Sequence, residues 1–393
     1  MGILGGILAA AIFAHVNAAH ATSFKVLYSF TGENDGGEPG PGSLVIDKEG
    51  NLYGATDLLN FYTAGTVFKL APDGTETVLY IFSEGIGGFG PGGLTMDQKG
   101  DLYGGTFGGG SNGCGVVFEV SPSGQEKTVH DFAGPPDDGC IAQGTLIRDA
   151  KRQLFGTTSG GGKNRDGTVF EMTPRGTVTL LHSFKLGRKG NFPAAGVIMD
   201  TNGNFYGTNA HGGSKESGNA YELTPKGVET VLHTFKDSPK DGSEPLAGVI
   251  MNASGDLFGV TYYGGNPGCA ADRGCGIVFE IAPGGRETVL HFFSGKHGDG
   301  ANPEGGLISD NSGNLYGTTE YGGGRNACNG TYGCGTVFEI APDGTETILH
   351  SFGNGNKGAN PVAGLVADSS GNLYGTTQFG GTYGYGTVFE ITP

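Results

Sequence analysis

The sequence predicts an all-β protein, a seven-bladed β-propeller of four-stranded antiparallel blades. Three observations predict it. First, the hexapeptide Asn314-Leu315-Tyr316-Gly317-Thr318-Thr319 returns as Asn372-Leu373-Tyr374-Gly375-Thr376-Thr377, and in weaker form around Gly54, Gly104, Gly156, Gly207 and Gly259. These seven glycines are 50, 52, 51, 52, 58 and 58 residues apart, and a fixed period of that size marks a repeat architecture. Second, each period holds four strand-like segments and nothing helical, which fits a propeller blade. Third, the ends are permuted. The first repeat-like segment, 24–30, copies the fourth strand, whereas the last repeat stops at its third, 386–391. Pairing these two segments closes a ring and removes an open sheet edge that would invite aggregation.

One unit, 306–352, gives the elements in order. A short apolar strand (306–310) turns at Asn311-Ser312-Gly313 into the hexapeptide strand, and a variable loop follows. Residues 335–340, rich in β-branched and aromatic side chains, form the third strand. Pro342-Asp343-Gly344 supplies a hairpin turn, and 346–352 is the fourth strand. On this pattern one domain, 22–393, contains blades at 43–82, 93–132, 144–184, 196–235, 248–293, 306–352 and 364–391, the last completed by 24–30. Glycine is abundant, 80 of 393 residues. Its fixed offsets place it at turns and bulges of ordered strands rather than in low-complexity sequence.

Aromatic residues recur in register on the second strand (Tyr53 to Tyr374), on the third (Phe68 to Phe389) and at the end of the fourth (Phe30 to Phe352). Bulky side chains at matched positions are what packed sheets need, so these are core. His130, His182, His233, His291 and His350 are in register on the fourth strand, with Tyr28 and Tyr80 in the same slot. That strand lies at the rim, so the histidines cannot converge on one ion, and they read as half-buried polar aromatics. The series Glu119 to Glu390, broken by Lys69, reads likewise as structural. The turn Asp-x-x-Gly-Asn/Asp, as in Asp47 to Asn51, lacks the alternating carboxylates of a calcium loop and reads as an Asx turn. No metal and no cofactor is expected.

Lys plus Arg number 23 against 39 Asp plus Glu, a net charge of −16. No basic face is visible to neutralise phosphates, which argues against a nucleic-acid partner. Residues 1–21 fall outside the repeat. An apolar run from Ile3 to Phe13 and the small-x-small Ala19-His20-Ala21 read as a cleaved secretory signal. The expected location is therefore extracellular or periplasmic. The apolar run is short for a membrane span, and a monomer is expected. Of six cysteines, Cys269/Cys275 and Cys328/Cys334 share one spacing at one place in the two longest repeats. Loops closed by 269–275 and 328–334 disulfides account for both facts, with 114–140 as the third pair; an exported chain favours disulfides over zinc.

The long consensus Asp-x-x-Gly-Asn-Leu-Tyr-Gly-Thr-Thr, a glycine-rich loop, then Gly-Thr-Val-Phe-Glu-Ile-x-Pro-x-Gly-x-Glu-Thr-Val-Leu-His-x-Phe resembles the Gloeo/Verruco tandem repeat of secreted or surface-anchored bacterial proteins. The resemblance covers nearly all of 24–393. It implies location and repeat class and supplies no catalytic residues.

Strand direction divides the connections between two faces. The 1–2 and 3–4 turns share one face and are tight and uniform. The 2–3 loops and blade-to-blade linkers share the other, vary between copies and carry all six cysteines. Function in repeat folds gathers on the face that carries insertions. Directly after the Thr-Thr position come Asp57, Phe107, Ser159, Ala210, Tyr262, Glu320 and Gln378, then Leu58, Gly108, Gly160, His211, Tyr263, Tyr321 and Phe379. Tyr262, Tyr263, Glu320, Tyr321, Gln378, Phe379 and Asp57 thus form an arc of aromatic, carboxylate and amide groups that suits a sugar. A secreted module binding glycan or cell-surface polymer is the leading expectation. A polysaccharide-cleaving enzyme is the alternative, with Asp57 and Glu320 as a hydrolase pair, or His211 or Tyr263 as a lyase base beside Arg165, Arg273 or Arg325. A structural surface protein without a convergent pocket is the third. The one Gly-x-Ser-x-Gly match, Gly109 to Gly113, falls in a glycine-rich loop with no helix to make it a nucleophile elbow, and there is no His-Glu-x-x-His and no phosphate loop.

Overall fold

The computed structural model describes residues 23–57, 65–83, 87–213, 215–265, 269, 273–324, 328, 333–353 and 355–393. The proposed signal, 1–21, together with Leu58 and Arg325, lies outside the described residues. Seven antiparallel sheets follow one another along the chain. In the sixth blade Ile308–Ser309, Leu315–Thr319, Thr336–Ile340 and Glu346–Ser351 lie side by side in that order. The innermost strands are only two residues long in every blade. The second blade carries an extra segment, Phe89–Pro91, that pairs with Leu102–Gly108 beyond the short Thr95–Met96 strand. Three two-stranded ribbons extend the variable loops, for example Ser243 opposite Tyr263 and Ala301 opposite Tyr321.

The ring closes as the permuted ends require. Ser23–Ser29 pairs antiparallel with Thr387–Thr392, from Ser23 opposite Thr392 to Ser29 opposite Thr387. The Phe30 amide then donates to the Gly386 carbonyl at 3.1 Å. The bulge in this pairing, between Val26 and Tyr28, recurs between third and fourth strands of the other blades.

Each letter of the hexapeptide has a task. Leu315 is buried core. Tyr316 reaches back to the turn, its hydroxyl donating to Asp310 Oδ2 at 3.2 Å. Gly317 is required by close approach: a Cβ there would sit 2.5 Å from the Phe338 ring, and the equivalent glycines meet Phe68, Phe118, Phe279 and Phe389 at 2.5–2.6 Å. These glycines are therefore neither turns nor bulges, as their offsets suggested, but seats for the third-strand ring. Thr318 donates to the Ala363 carbonyl at 2.8 Å, tying its blade to the linker that leads into the innermost strand of the next. Thr319 meets Thr336 across the sheet at 2.8 Å. The seated ring also meets the phenylalanine that ends the preceding blade. Phe30–Phe68, Phe82–Phe118, Phe293–Phe338 and Phe352–Phe389 are edge-to-face pairs at 5.0–5.2 Å. The other three junctions carry an equivalent ring contact at 5.1–5.5 Å, tilted rather than edge to face for Phe235–Phe279 and with Tyr221 replacing phenylalanine in the fourth blade. Such pairs add to what burial alone contributes.

Candidate functional site at the channel mouth

The innermost strands surround a central cavity of about 490 Å³, lined by small and aliphatic residues such as Leu44, Leu94, Ala195, Val249 and Leu307. Glu304 is the one ionisable side chain among its described lining residues. Each blade-to-blade linker enters its innermost strand through a left-handed residue: Glu38, Gly90, Ile141, Phe192, Glu244, Asn302 and Asn360, with φ between 51° and 67° for the non-glycine ones. Six non-glycine residues held in this region is an unusual density, and such strain gathers at functional sites. The carbonyls of this ring accept the amides of the residues that follow the second strand. Asp57 bonds to Glu38 (3.2 Å), Tyr262 to Glu244 (3.0 Å), Glu320 to Asn302 (3.1 Å) and Gln378 to Asn360 (3.0 Å). The backbone thus fixes the variable positions around the mouth, one per blade.

Three carboxylates converge there. Burial raises Glu304 to about 7, with the negative charges of Glu320 and Asp57 adding to it. Asp57, whose carboxylate lies against Gly40, is raised to about 6 by burial and then by Glu38. Its Oδ1 is buried without a hydrogen-bond partner. Glu320 accepts a 2.5 Å hydrogen bond from the Tyr262 hydroxyl. Burial and that carboxylate push the Tyr262 hydroxyl far up, so it is a fixed donor at any working pH. The Tyr321 hydroxyl is raised by burial, by Glu320 and by Glu304. Tyr262 and Tyr263 meet edge to face at 4.6 Å. The Asn302 and Asn360 side-chain amides brace the set, donating to the Tyr262 and Glu320 carbonyls at 2.8 and 3.1 Å.

Of the predicted arc, Tyr262, Glu320 and Tyr321 lie together beside Glu304, and Asp57 is close enough for its charge to act on Glu304. Tyr263 is covered on one face: the Arg273 guanidinium lies 3.8 Å from its ring centroid and forms an ion pair with Glu244. Tyr263 and Arg273 thus stand side by side, with the guanidinium already paired to Glu244. Gln378 is half-buried, and Phe379 is exposed with its backbone paired to Ala359. His211 lies elsewhere, beside the Phe192 ring at 5.4 Å. Arg165 is a left-handed loop residue after the second strand of the third blade.

The three disulfides form as expected, Cys114–Cys140, Cys269–Cys275 and Cys328–Cys334, and there are no free cysteines. Among the described residues no helix is long and apolar enough to cross a membrane.

The model of the Gloeobacter/Verrucomicrobia repeat matches residues 11–208, 161–328 and 195–393. The chain belongs to this family. No curated protein matches it. Among solved structures, it is similar to the gluconolactonase XC5397 of Xanthomonas campestris (13% identity, TM-score 0.43, 94% of this chain and 89% of that one). It is similar to PorZ, a surface component of the type-IX secretion system of Porphyromonas gingivalis (15%, 0.52, 90% and 47%). It is also similar to a fungal alcohol oxidase of the AA5 family in complex with copper (14%, 0.54, 90% and 75%). The chain thus spans about half the length of PorZ. At these identities the likeness is one of fold.

Sequence reasoning missed two features of this Gloeobacter/Verrucomicrobia repeat protein. Glu304 follows the linker proline Pro303, where other blades carry Gly40, Gly92, Gln143, Ala194, Leu246 and Val362. Comparing that one column would have singled it out. The second is a set of exposed aromatics: Phe89, Phe107, Phe192, Phe379, Tyr383 and Tyr385 are all more than a third exposed. Phe107 sits near the loop end of the Leu102–Gly108 strand, and the other five lie in 2–3 loops or linkers. On the opposite face the exposed large apolar residues, Met199 and Val228, are aliphatic.

Proposed function

We propose that this protein is an exported binding module that holds a neutral or amino-sugar polymer across its variable-loop face. The observation that carries the reading is the confinement of six exposed aromatic rings to that face, around a mouth of converging carboxylates. Ring faces stack on the C–H faces of sugars, and carboxylates accept from hydroxyls or ammonium groups. A polyanionic ligand is disfavoured by the carboxylate cluster and by the net charge of −16. A glycan array tests it. Wild-type protein should bind neutral or amino-sugar polymers, and Phe107→Ala/Phe379→Ala should weaken that binding at least tenfold. Binding unaffected by the double substitution would sink the proposal.

A second reading is favoured by Glu304. A carboxyl raised to about 7 beside Asp57 and Glu320 is the pairing of environments that glycoside hydrolysis uses, a protonated acid facing an ionised partner. Under this reading Glu304→Gln abolishes cleavage of whichever polymer the protein binds and leaves its affinity within about threefold. Polymer left intact by wild-type protein would leave the binding reading alone in place.

A further inference from the structure

At the rim, far from the channel, the histidines that the sequence placed beyond one another's reach acquire partners from the next blade. The junctions described next bring together the histidine of one fourth strand, the linker residue directly before the glycine that opens the ribbon or its equivalent, and a residue at the start of the next blade's fourth strand. The composition of this triad varies. Between blades two and three it is His130, Asp138 and Val178; His130 Nε2 meets Asp138 at 2.9 Å and the pair is complete. Between three and four it is His182, Lys189 and Glu229, where the lysine amine supplies a cation 3.7 Å from the carboxylate. Between six and seven it is His350, Lys357 and Phe24, with the histidine stacked on the phenylalanine at 3.7 Å. Each of these holds at most one carboxylate.

Two junctions differ. His233, Asp241 and Glu287 meet between blades four and five, and His291, Asp299 and Glu346 between five and six. Each set adds a histidine to two carboxylates, with one donor atom per residue within 4.8 Å of the others. The ring-closing junction also brings two carboxylates together, Asp35 and Glu76, but with Tyr28 in place of the histidine, donating to Asp35 at 2.8 Å. Lys236 acts on Glu287 in the first set. In the second set His291 Nε2 lies 3.6 Å from both Asp299 Oδ1 and Glu346 Oε2. That is too long for a hydrogen bond. His291 Nε2, Asp299 Oδ1 and Glu346 Oε1 are all buried without partners. The first is more nearly satisfied: His233 Nε2 is hydrogen-bonded to Asp241 Oδ1 at 3.3 Å, which also accepts from the Gly242 amide at 2.7 Å, while Glu287 Oε2 lies 3.7 Å from the imidazole and Glu287 Oε1 is unpartnered. Ligands about 2.1 Å from a tetrahedral ion stand about 3.4 Å apart. Asp299 Oδ2 accepts from the Ser294 amide and hydroxyl at 2.7 and 2.6 Å, which orients Oδ1 inward.

We infer that these two junctions are divalent-cation sites, each binding one ion through an imidazole and two carboxylates and so clamping neighbouring blades. One nitrogen and two oxygens suit Zn²⁺ or Mn²⁺ better than Ca²⁺, which takes six to eight oxygens. Two positive charges neutralise the two carboxylates, the role that Lys189 fills one junction away. The ions are structural, and this inference is independent of the polymer reading.

The test is calorimetric titration of tag-free, chelator-stripped full-length protein with ZnCl2, with metal content read by elemental analysis after desalting. Two equivalents should bind with micromolar or tighter affinity, and zinc should raise the melting temperature. Asp241→Lys/Asp299→Lys installs the residue that the chain itself uses at other junctions; it should bind no zinc and melt, in chelator, close to wild type. Glu287→Val/Glu346→Val, copying Val178, should give the same loss and covers the case in which the lysine variant fails to fold. Fewer than two equivalents on wild type, or any equivalent surviving in either folded double variant, would overturn the assignment.

Discussion

The two faces of the ring are built from opposite ends of the same strands, yet they treat a carboxylate in opposite ways. On the turn face, burial would raise Asp47, but Asn51, Tyr53 and Glu49 all donate to it, and it ends below the usual carboxylate range. Asp200, Asp310 and Asp368 repeat this arrangement. On the loop face, Asp57 Oδ1 is buried without a partner, and burial pushes Asp57 and Glu304 up to about 6 and 7. A satisfied carboxylate has nothing left to offer a ligand. An unsatisfied one is a destabilising feature kept for some other reason, and buried unpaired polar groups are costly enough that their concentration on one face is informative.

The sharpest way to probe this contrast is to damage the strands that both faces share. Gly317→Ala places a Cβ against the Phe338 ring and should cost about 3 kcal/mol, read as the urea midpoint. A neutral effect would mean that the ring has room to move and that the hexapeptide glycine has been misassigned. Next in size, Asp310→Ala removes the acceptor for the Ser312 and Asn314 amides and for the side chains of Asn314 and Tyr316. It should cost about 1–2 kcal/mol and leave polymer binding unchanged; lost binding would break the division between faces.

Smaller effects sharpen it. Tyr221→Phe removes a fully buried hydroxyl with no partner and copies the residue used in the other six blades. It should stabilise by about 1 kcal/mol; destabilisation would mean that the hydroxyl has a partner after all. Glu304→Gln tests the loop face through pH. Because the folded carboxyl is raised to about 7, the native state holds this proton more tightly than the unfolded chain. Its contribution is complete below about 4.5 and is lost as pH rises through about 7. The glutamine variant should therefore gain stability relative to wild type at pH 8 and not at pH 4. His350, which burial and then Lys357 lower to about 4, titrates in the opposite sense in both proteins and cancels in the difference. An equal gain at both pH values would contradict the raised pKa.

What the sequence disclosed depended on whether the information was local. The Asx turns, the closing strand and the short-range disulfides 269–275 and 328–334 join residues that are near in sequence or repeated in register, and each was readable. Glu304 was not, because its meaning lies in its absence from six other copies of the same column. The aromatic set was only partly seen: Phe379 belongs to the repeat position, but Tyr383 and Tyr385 sit in a loop of unique sequence. The rim histidines were read as half-buried, as they are. Their acidic partners were missed because each triad joins three places spread over about fifty residues, and its composition changes from blade to blade.

The most direct test of the account is a hydrogen-exchange footprint on wild-type protein with and without a bound polymer from the array. The account predicts protection confined to the loop face, at the 2–3 loops and linkers around Asp57, Glu304, Glu320 and Phe379, with the Asp47 and Asp310 turns unchanged. Protection at those turns, or along the outer strands alone, would contradict it.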